Sequence, residues 1–264
     1  MDNRFENRRV IITGAGSGIG QATSLRLVAE GAAVVACDVH QEGLDRTAER
    51  ARTTGPGSLS THVVDVSDES SVTECVGAAT EELGGIDILV NAAGILRSAH
   101  THELSLKEWN RIIGVNLTGT FLMIRDAIPA LKVFGRGVIV NFSSTSATFA
   151  HPYMAAYAAS KGGIWSLTHT VAAEYAKDGI RAVSVAPGSI SSGMTAAPGL
   201  PSDADLSHYA RVQPVIEALP SDADLSIPGM AGPEAVAGVI AMLASDDGAF
   251  ITGTEIRIDG GAHM

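Results

Sequence analysis

Short apolar runs alternate along this chain with longer stretches whose apolar residues recur at helical spacing. Arg9–Thr13 (RVIIT) is an apolar run ending at glycines, which predicts a buried strand. Ile19, Ala22, Leu25, Leu27 and Val28 then mark a helix over 18–30, and AVVAC at 33–37 predicts a second buried strand. Strand, glycine loop, helix and strand in this order have the spacing of a right-handed βαβ unit. The alternation goes on with helix 40–53, strand 60–64, helix 69–83 and strand 86–90. Ser105 and Glu108 have capping-box spacing and predict a helix opening near 106. A separate helix from near 116 to 133 precedes strand 137–142, and helix 155–177, strand 181–186, helix 233–244 and strand 255–258 complete the series. Buried strands alternating with helices predict an α/β fold with a parallel sheet covered on both faces.

The stretch 189–232 breaks this rhythm. It is rich in Pro, Gly, Ser and Met, and it contains LPSDADLS at both 200–207 and 219–226. Two copies are too few for a solenoid. Each carries S-x-x-D, a helix-start signal. In the first copy Leu206, Tyr209 and Ala210 form an apolar stripe that Pro214 ends, and in the second Pro228 and Gly229 stop the helix early. The expectation is a lengthened lid, with a surface loop of no role as the alternative.

The 264 residues, 45% hydrophobic and 18% charged, suit one α/β domain and not a disordered chain. A formal net charge of -11 argues against nucleic acid and anionic membranes as partners. The N-terminus is polar, and no apolar run approaches the ~18 residues of a membrane span, so the expectation is a cytoplasmic protein. Cys37 and Cys75, the only cysteines, have neither CxxC spacing nor a neighbouring His cluster. They are expected to be buried small hydrophobes in a reducing compartment, and no metal site is expected.

The glycine loop is the first candidate for chemistry. Gly14, Gly18 and Gly20 form G-x-x-x-G-x-G between strand and helix, where bare backbone N–H groups and the positive helix end can meet a phosphate. Asp38 ends the second strand, placed to accept hydrogen bonds from adenosine ribose hydroxyls and to repel a 2′-phosphate. Val39 and His40 beside it supply no Arg or Lys to hold that phosphate, which favours NAD over NADP. The alternative for Asp38 is a helix-capping carboxylate.

TGAGSGIG at 13–20, Asp65-Val66, NAAG at 91–94, Asn116, Ser144, Tyr157-Ala-Ala-Ser-Lys161 and Pro187-Gly188 stand in order along the chain. Together these residues resemble the short-chain dehydrogenase/reductase (SDR) family over nearly the whole length. The resemblance implies a single-domain, Rossmann-type doubly wound sheet with an extended substrate lid. It also implies an oxidoreductase that moves a hydride between nicotinamide and a secondary alcohol or ketone. Tyr157 and Lys161 lie one helical turn apart and can reach one region. A free tyrosine, with a pKa of about 10, is a poor base, and a nearby ammonium together with the positive nicotinamide ring of NAD⁺ is expected to lower it. Ser144 would hydrogen-bond the substrate oxygen, while strand alternation turns Ser143 the other way. Asn116 matches the family asparagine of the proton relay. The resemblance further assigns Asp65 and Val66 to adenine, Asn91 and Gly94 to the cofactor wall, and Pro187, Gly188 and Ile190 to the carboxamide. Ser17, Ile19 and Ser192 join them as cofactor contacts.

The organic substrate is less legible. Leu96, Ser146, His151, Tyr153, Met154, Met194 and Tyr209 fall in the segments that build family pockets, and the set is mostly apolar. An apolar or alicyclic alcohol or ketone suits it, with His151 either binding a polar substituent or packing beside Pro152. The helices near 105–133 and 155–177 pair across subunits in the family, so a homotetramer is expected. Two other functions stay open. One is an NADPH-dependent reductase of 3-oxoacyl groups on a carrier protein, against which Ser17 and Asp38 speak. The other is a nucleotide sensor with a dead site, against which the retention of both Tyr157 and Lys161 speaks.

Overall fold

The computed structural model describes residues 3–207, 209, 213–216 and 230–264. Its strands are β1 (Arg9–Thr13), β2 (Ala33–Asp38), β3 (Ser58–Val63), β4 (Ile88–Asn91), β5 (Val138–Phe142), β6 (Arg181–Pro187) and β7 (Glu255–Ile258). They form one sheet in the order β3-β2-β1-β4-β5-β6-β7, and every pairing is parallel. The helices are α1 (Gly18–Ala29), α2 (Gln41–Ala51), α3 (Glu69–Leu83), α4 (Leu106–Ile113), α5 (Gly119–Lys132), α6 (Ala155–Glu174), α7 (Gly193–Ala196) and α8 (Pro233–Ala244).

Strand alternation sorts the core into two layers. Val10, Ile12, Val34 and Val140 face one way, onto Leu27 and Val28 of α1, Leu44 of α2 and Ile240 of α8. Ile11, Val35, Leu89 and Ile139 face the other way, onto Val72 and Val76 of α3, Met123 and Ala127 of α5 and Val171 of α6. Because both faces are covered, the central strands are apolar throughout, whereas edge strand β3 leaves Val63 exposed. The chain reverses direction across the sheet between β1 and β4, and in such sheets the crevice beyond the strands' carboxyl ends is the ligand site. Thr13, Asp38, Asn91, Phe142 and Pro187 all stand at that edge.

Two expectations need correction. The helices near 106 and 116–133 are one continuous rod, because Gly114–Thr118 is a π-helical segment joining α4 to α5. A π-turn inserts a residue without breaking the hydrogen-bonded chain, which apolar periodicity does not reveal. In the first LPSDADLS copy, Ser202 and Asp203 form a turn, and helical residues begin only at Ser207. Asp203 pairs with His100 instead of capping a helix. The second copy, at 219–226, lies outside the described residues. No helix among the described residues is long and apolar enough to cross a membrane.

Candidate active site

The glycine loop is clamped from both sides. The Ala15 N–H donates to the Cys37 carbonyl at 3.0 Å, and the Gly16 N–H donates to Asp38 Oδ2 at 3.0 Å. Asp38 Oδ1 accepts from the His40 N–H at 2.9 Å, so the carboxylate is fixed at the strand end. Gly14 has φ +67, and a Cβ there would sit 2.7 Å from the Ala93 nitrogen. A Cβ on Gly20 would meet the Gly14 carbonyl oxygen at 2.1 Å, so helix, loop and β4 pack backbone to backbone. Ser17 is the N-cap of α1 in extended conformation but caps nothing with its side chain, leaving the helix N-terminus open. Ile19 packs half-buried against the core below.

The flanking predicted residues fall around this loop. Asp65 is exposed, and its Oδ1 accepts from the N–H and hydroxyl of Ser67, while Val66 is buried against Gly119. Gly188 lies against Asp259 and donates its N–H to the Ile258 carbonyl. Ile190 is buried and bridges to Ala231. Ser192 opens α7 with a capping box to Thr195, and its Cβ is 3.6 Å from where a side chain on Gly18 would begin. The chain after β6 therefore lies over the glycine loop. Asn91 stands apart from the others. Its Nδ2 donates to Asn141 Oδ1 at 2.9 Å, and Asn141 donates on to Thr168, a buried polar ladder between β4, β5 and α6.

Beyond the ends of β5 and α6 the catalytic candidates converge. Ser144 caps the turn Thr145–Ala147, its Oγ accepting from the Ser146 N–H at 3.2 Å and sharing a hydrogen bond with Tyr157. Ser143 turns away, donating to the Lys161 carbonyl at 3.3 Å. Lys161 is 4% exposed, and its Nζ donates to the Phe142 carbonyl at 2.8 Å and lies 5.5 Å from the Tyr157 ring centre. Burial pulls the Lys161 ammonium down to about 8. Burial also raises the Tyr157 phenol, partly offset by the hydrogen bond from Ser144.

Asn116 sits in the π-helical segment, fully buried. Its Oδ1 accepts from the Ile95 N–H at 2.8 Å, and its Nδ2 donates to the Ile95 carbonyl and to Ser160 Oγ, both at 3.0 Å. A side chain on Gly94 would begin 3.4 Å from Asn116 Oδ1 and 3.6 Å from Lys161 Nζ, so this glycine keeps open the space before the ammonium.

The residues expected to meet substrate come from the segments after β4, before α6 and after β6. Ser146 Oγ is buried without a partner. His151 is partly buried, bonded to the Phe149 carbonyl, and burial lowers its imidazole. Met154 is the N-cap of α6, Leu96 is buried after NAAG, and Met194 is half-buried in α7. The lid is pinned to these loops. The Asp205 N–H donates to Tyr153 Oη at 2.9 Å, Tyr209 Oη donates to the Pro152 carbonyl at 2.8 Å, and His100 pairs with Asp203 at 3.0 Å.

One contributor, His263, was not among the residues expected at the site. His263 Nδ1 meets Asp259 Oδ2 at 3.1 Å, and its ring stacks on Phe149 at 4.5 Å. Pro214 and Val215 of the lid rest on Gly260 and Gly261. The last residues thus tie the Gly188 loop, the His151 loop and the lid together. Apart from the local His263–Asp259 pair, contacts between segments distant in sequence create this arrangement, so no local pattern announces it.

The model of the short-chain dehydrogenase family matches residues 8–200. A 3-oxoacyl-acyl-carrier-protein reductase of Thermotoga maritima is 38% identical over 98% of each chain. The cis-4-hydroxycyclohexanecarboxylate dehydrogenase of Sinomonas cyclohexanicum is 39% identical over 99% of this chain and 98% of its own. The crystal structure of a levodione reductase superposes with a TM-score of 0.85 at 33% identity, covering 97% of this chain and 98% of that one. With the glycine loop, the Ser144–Tyr157–Lys161 cluster and this likeness over the full length, the chain belongs to the short-chain dehydrogenase/reductase family of oxidoreductases.

Proposed function

We propose that this protein is an NAD(H)-dependent dehydrogenase of an apolar or alicyclic secondary alcohol, or the reductase of the matching ketone. The observation that carries the cofactor half is Asp38, fixed at the end of β2 by two backbone N–H groups, with Val39 and His40 beside it. A carboxylate there accepts from ribose hydroxyls and repels a 2′-phosphate. The residues present fit a dinucleotide. The N-terminus of α1 is left open by Ser17, Gly94 leaves space before Lys161, and one Lys161 N–H bond to protein leaves two donors for ribose hydroxyls. Gly14, Gly18, Ile19 and Gly20 would hold the pyrophosphate, with Asp65 and Val66 at adenine and Pro187, Gly188, Ile190 and Ser192 near nicotinamide.

When bound, the nicotinamide accepts or returns the hydride. Tyr157 exchanges the proton of the substrate oxygen, and Ser144, hydrogen-bonded to the same phenol, orients that oxygen. Lys161, held by the Phe142 carbonyl, favours the phenolate and grips the ribose. Asn116 acts as a positioning residue that fixes Ile95 and Ser160 beside them, its proton-relay role resting on the family resemblance. Ser146, His151, Met154 and Met194 would form the substrate wall. Relatives named for a hydroxycyclohexanecarboxylate and for levodione support a cyclic substrate. Phe121 of α5 and Trp165 of α6, both partly exposed, support association through these helices into a homotetramer.

The second reading, an NADPH-dependent carrier-protein reductase, is favoured by the Thermotoga relative. Titration with NADH and NADPH, followed by turnover of cyclic ketones and of acyl thioesters, separates the two. Tight NADH binding with cyclic-ketone turnover is expected. NADPH preference with thioester turnover would replace the main reading with the second.

A further inference from the structure

The chain's only two cysteines, 37 and 75, are separated in sequence but adjacent in space. Cys37 lies next to last in β2 and Cys75 lies midway along α3, and their Sγ atoms are 3.5 Å apart. Cys37 is fully buried and Cys75 is 5% exposed, among Val35, Val72 and Val76. A disulfide needs its sulfurs about 2.05 Å apart, so from 3.5 Å they must close by about 1.5 Å. We propose that Cys37 and Cys75 form a peroxide-sensitive thiol pair whose oxidation to a disulfide loosens the nucleotide site.

The chemistry has an order. Cys75, the more accessible thiol, reacts first with a hydroperoxide as the oxidant. Its thiolate attacks the O–O bond, giving a sulfenic acid and releasing hydroxide or alkoxide. Cys37 then attacks the Cys75 sulfur, forming the S–S bond and expelling water. Two thiols and one hydroperoxide yield one disulfide, water and either water or an alcohol. The hydrogen bond from Cys37 favours the Cys75 thiolate and holds its pKa below the usual thiol value, while the same partnership and burial push the Cys37 thiol up, which suits an attacked thiol and a resolving one.

The link to the nucleotide site runs through backbone. The Cys37 carbonyl accepts from the Ala15 N–H in the glycine loop, and the next residue, Asp38, holds the Gly16 N–H. Cys37 is also in register with Thr13 on β1 and His62 on β3. Pulling Cys37 toward α3 therefore shifts both clamps of the loop at once. This second half rests on the dinucleotide-binding reading above.

The test treats the folded full-length protein with hydrogen peroxide, then unfolds it and alkylates free thiols. Intact mass is expected to show loss of two hydrogens and no alkylation, with a peptide linking 37 to 75. Cys37→Ser should instead accumulate sulfenic or sulfinic acid on Cys75, for want of a resolving thiol. Two thiols left free in the wild type, or over-oxidation of Cys75 without a crosslink, would overturn the pair. NADH affinity, read by fluorescence, should fall about tenfold on oxidation and return with dithiothreitol, and Cys75→Ser should be immune. Unchanged affinity in a crosslinked protein would overturn the link to the site. A reduced protein that binds neither NADH nor NADPH would sink the dinucleotide reading, and with it that link, and leave the thiol chemistry standing on the mass data.

Discussion

Lys161 Nζ is tethered to the carbonyl of Phe142 at 2.8 Å, so the end of β5 fixes the ammonium two residues before the strand's chain reaches Ser144. One strand end thus sets both the cation and the hydroxyl around Tyr157.

This arrangement costs stability. Burial holds Lys161 at about 8 against 10.5, a penalty of about 3 kcal/mol while the side chain is charged in both states. Because the folded value is the lower one, the full penalty is present below pH 8 and fades as pH rises toward 10.5. Lys161→Met should abolish activity yet gain about 1–2 kcal/mol at pH 7, after about 1 kcal/mol is lost with the hydrogen bond. Urea unfolding of both proteins at pH 7 and pH 10 checks it, and the gain should shrink at the higher pH.

Tyr157→Phe removes the proton carrier and leaves the ring. Turnover should fall by at least about a thousandfold while NADH affinity stays within about twofold. Loss of cofactor binding in this variant would show that the phenol serves the nucleotide and not the proton.

Gly20→Ala would place a methyl 2.1 Å from the Gly14 carbonyl oxygen, so α1 or the loop must move. A loss of about 1–3 kcal/mol, together with the loss of NADH binding, is expected in thermal unfolding and titration. Gly77, in α3 with nothing within 4 Å, provides the contrast. There alanine should stabilise by up to about 1 kcal/mol through helix propensity alone.

Asp38→Ala combined with Val39→Arg should exchange a carboxylate for a cation at the end of β2. The ratio of kcat/KM for NADPH over NADH is expected to rise by about a hundredfold or more. A wild-type preference for NADPH would refute the role given to Asp38.

The lid contact between His100 and Asp203 carries a pH dependence. The Asp203 carboxylate raises the His100 imidazole above its usual value. A raised histidine contributes below 6.5 and loses that contribution as pH climbs through its folded value. Substrate KM should therefore rise across this window just above 6.5, and Asp203→Asn should remove the step. A profile that Asp203→Asn leaves unchanged would dissociate this pair from substrate binding.

Apolar runs and helical spacing located nearly every strand and helix of the sheet, because its core is built from contacts that repeat with the local period. The order of glycine loop, Asp38, Ser144, Tyr157 and Lys161 stands along the chain, and its likeness to a family pattern is what marked a candidate site there. The π-turn holding Asn116 was not legible, because it changes the backbone without changing the apolar stripe. Nor could sequence tell that burial pulls the Lys161 ammonium down to about 8, since desolvation depends on what the rest of the chain packs around it. The bond between His100 and Asp203, the seat of His263 on Phe149 and the meeting of Cys37 with Cys75 join residues far apart along the chain. Sequence alone determined the parts that repeat or recur in order; tertiary structure decided every contact made by side chains brought together only when the sheet is wound.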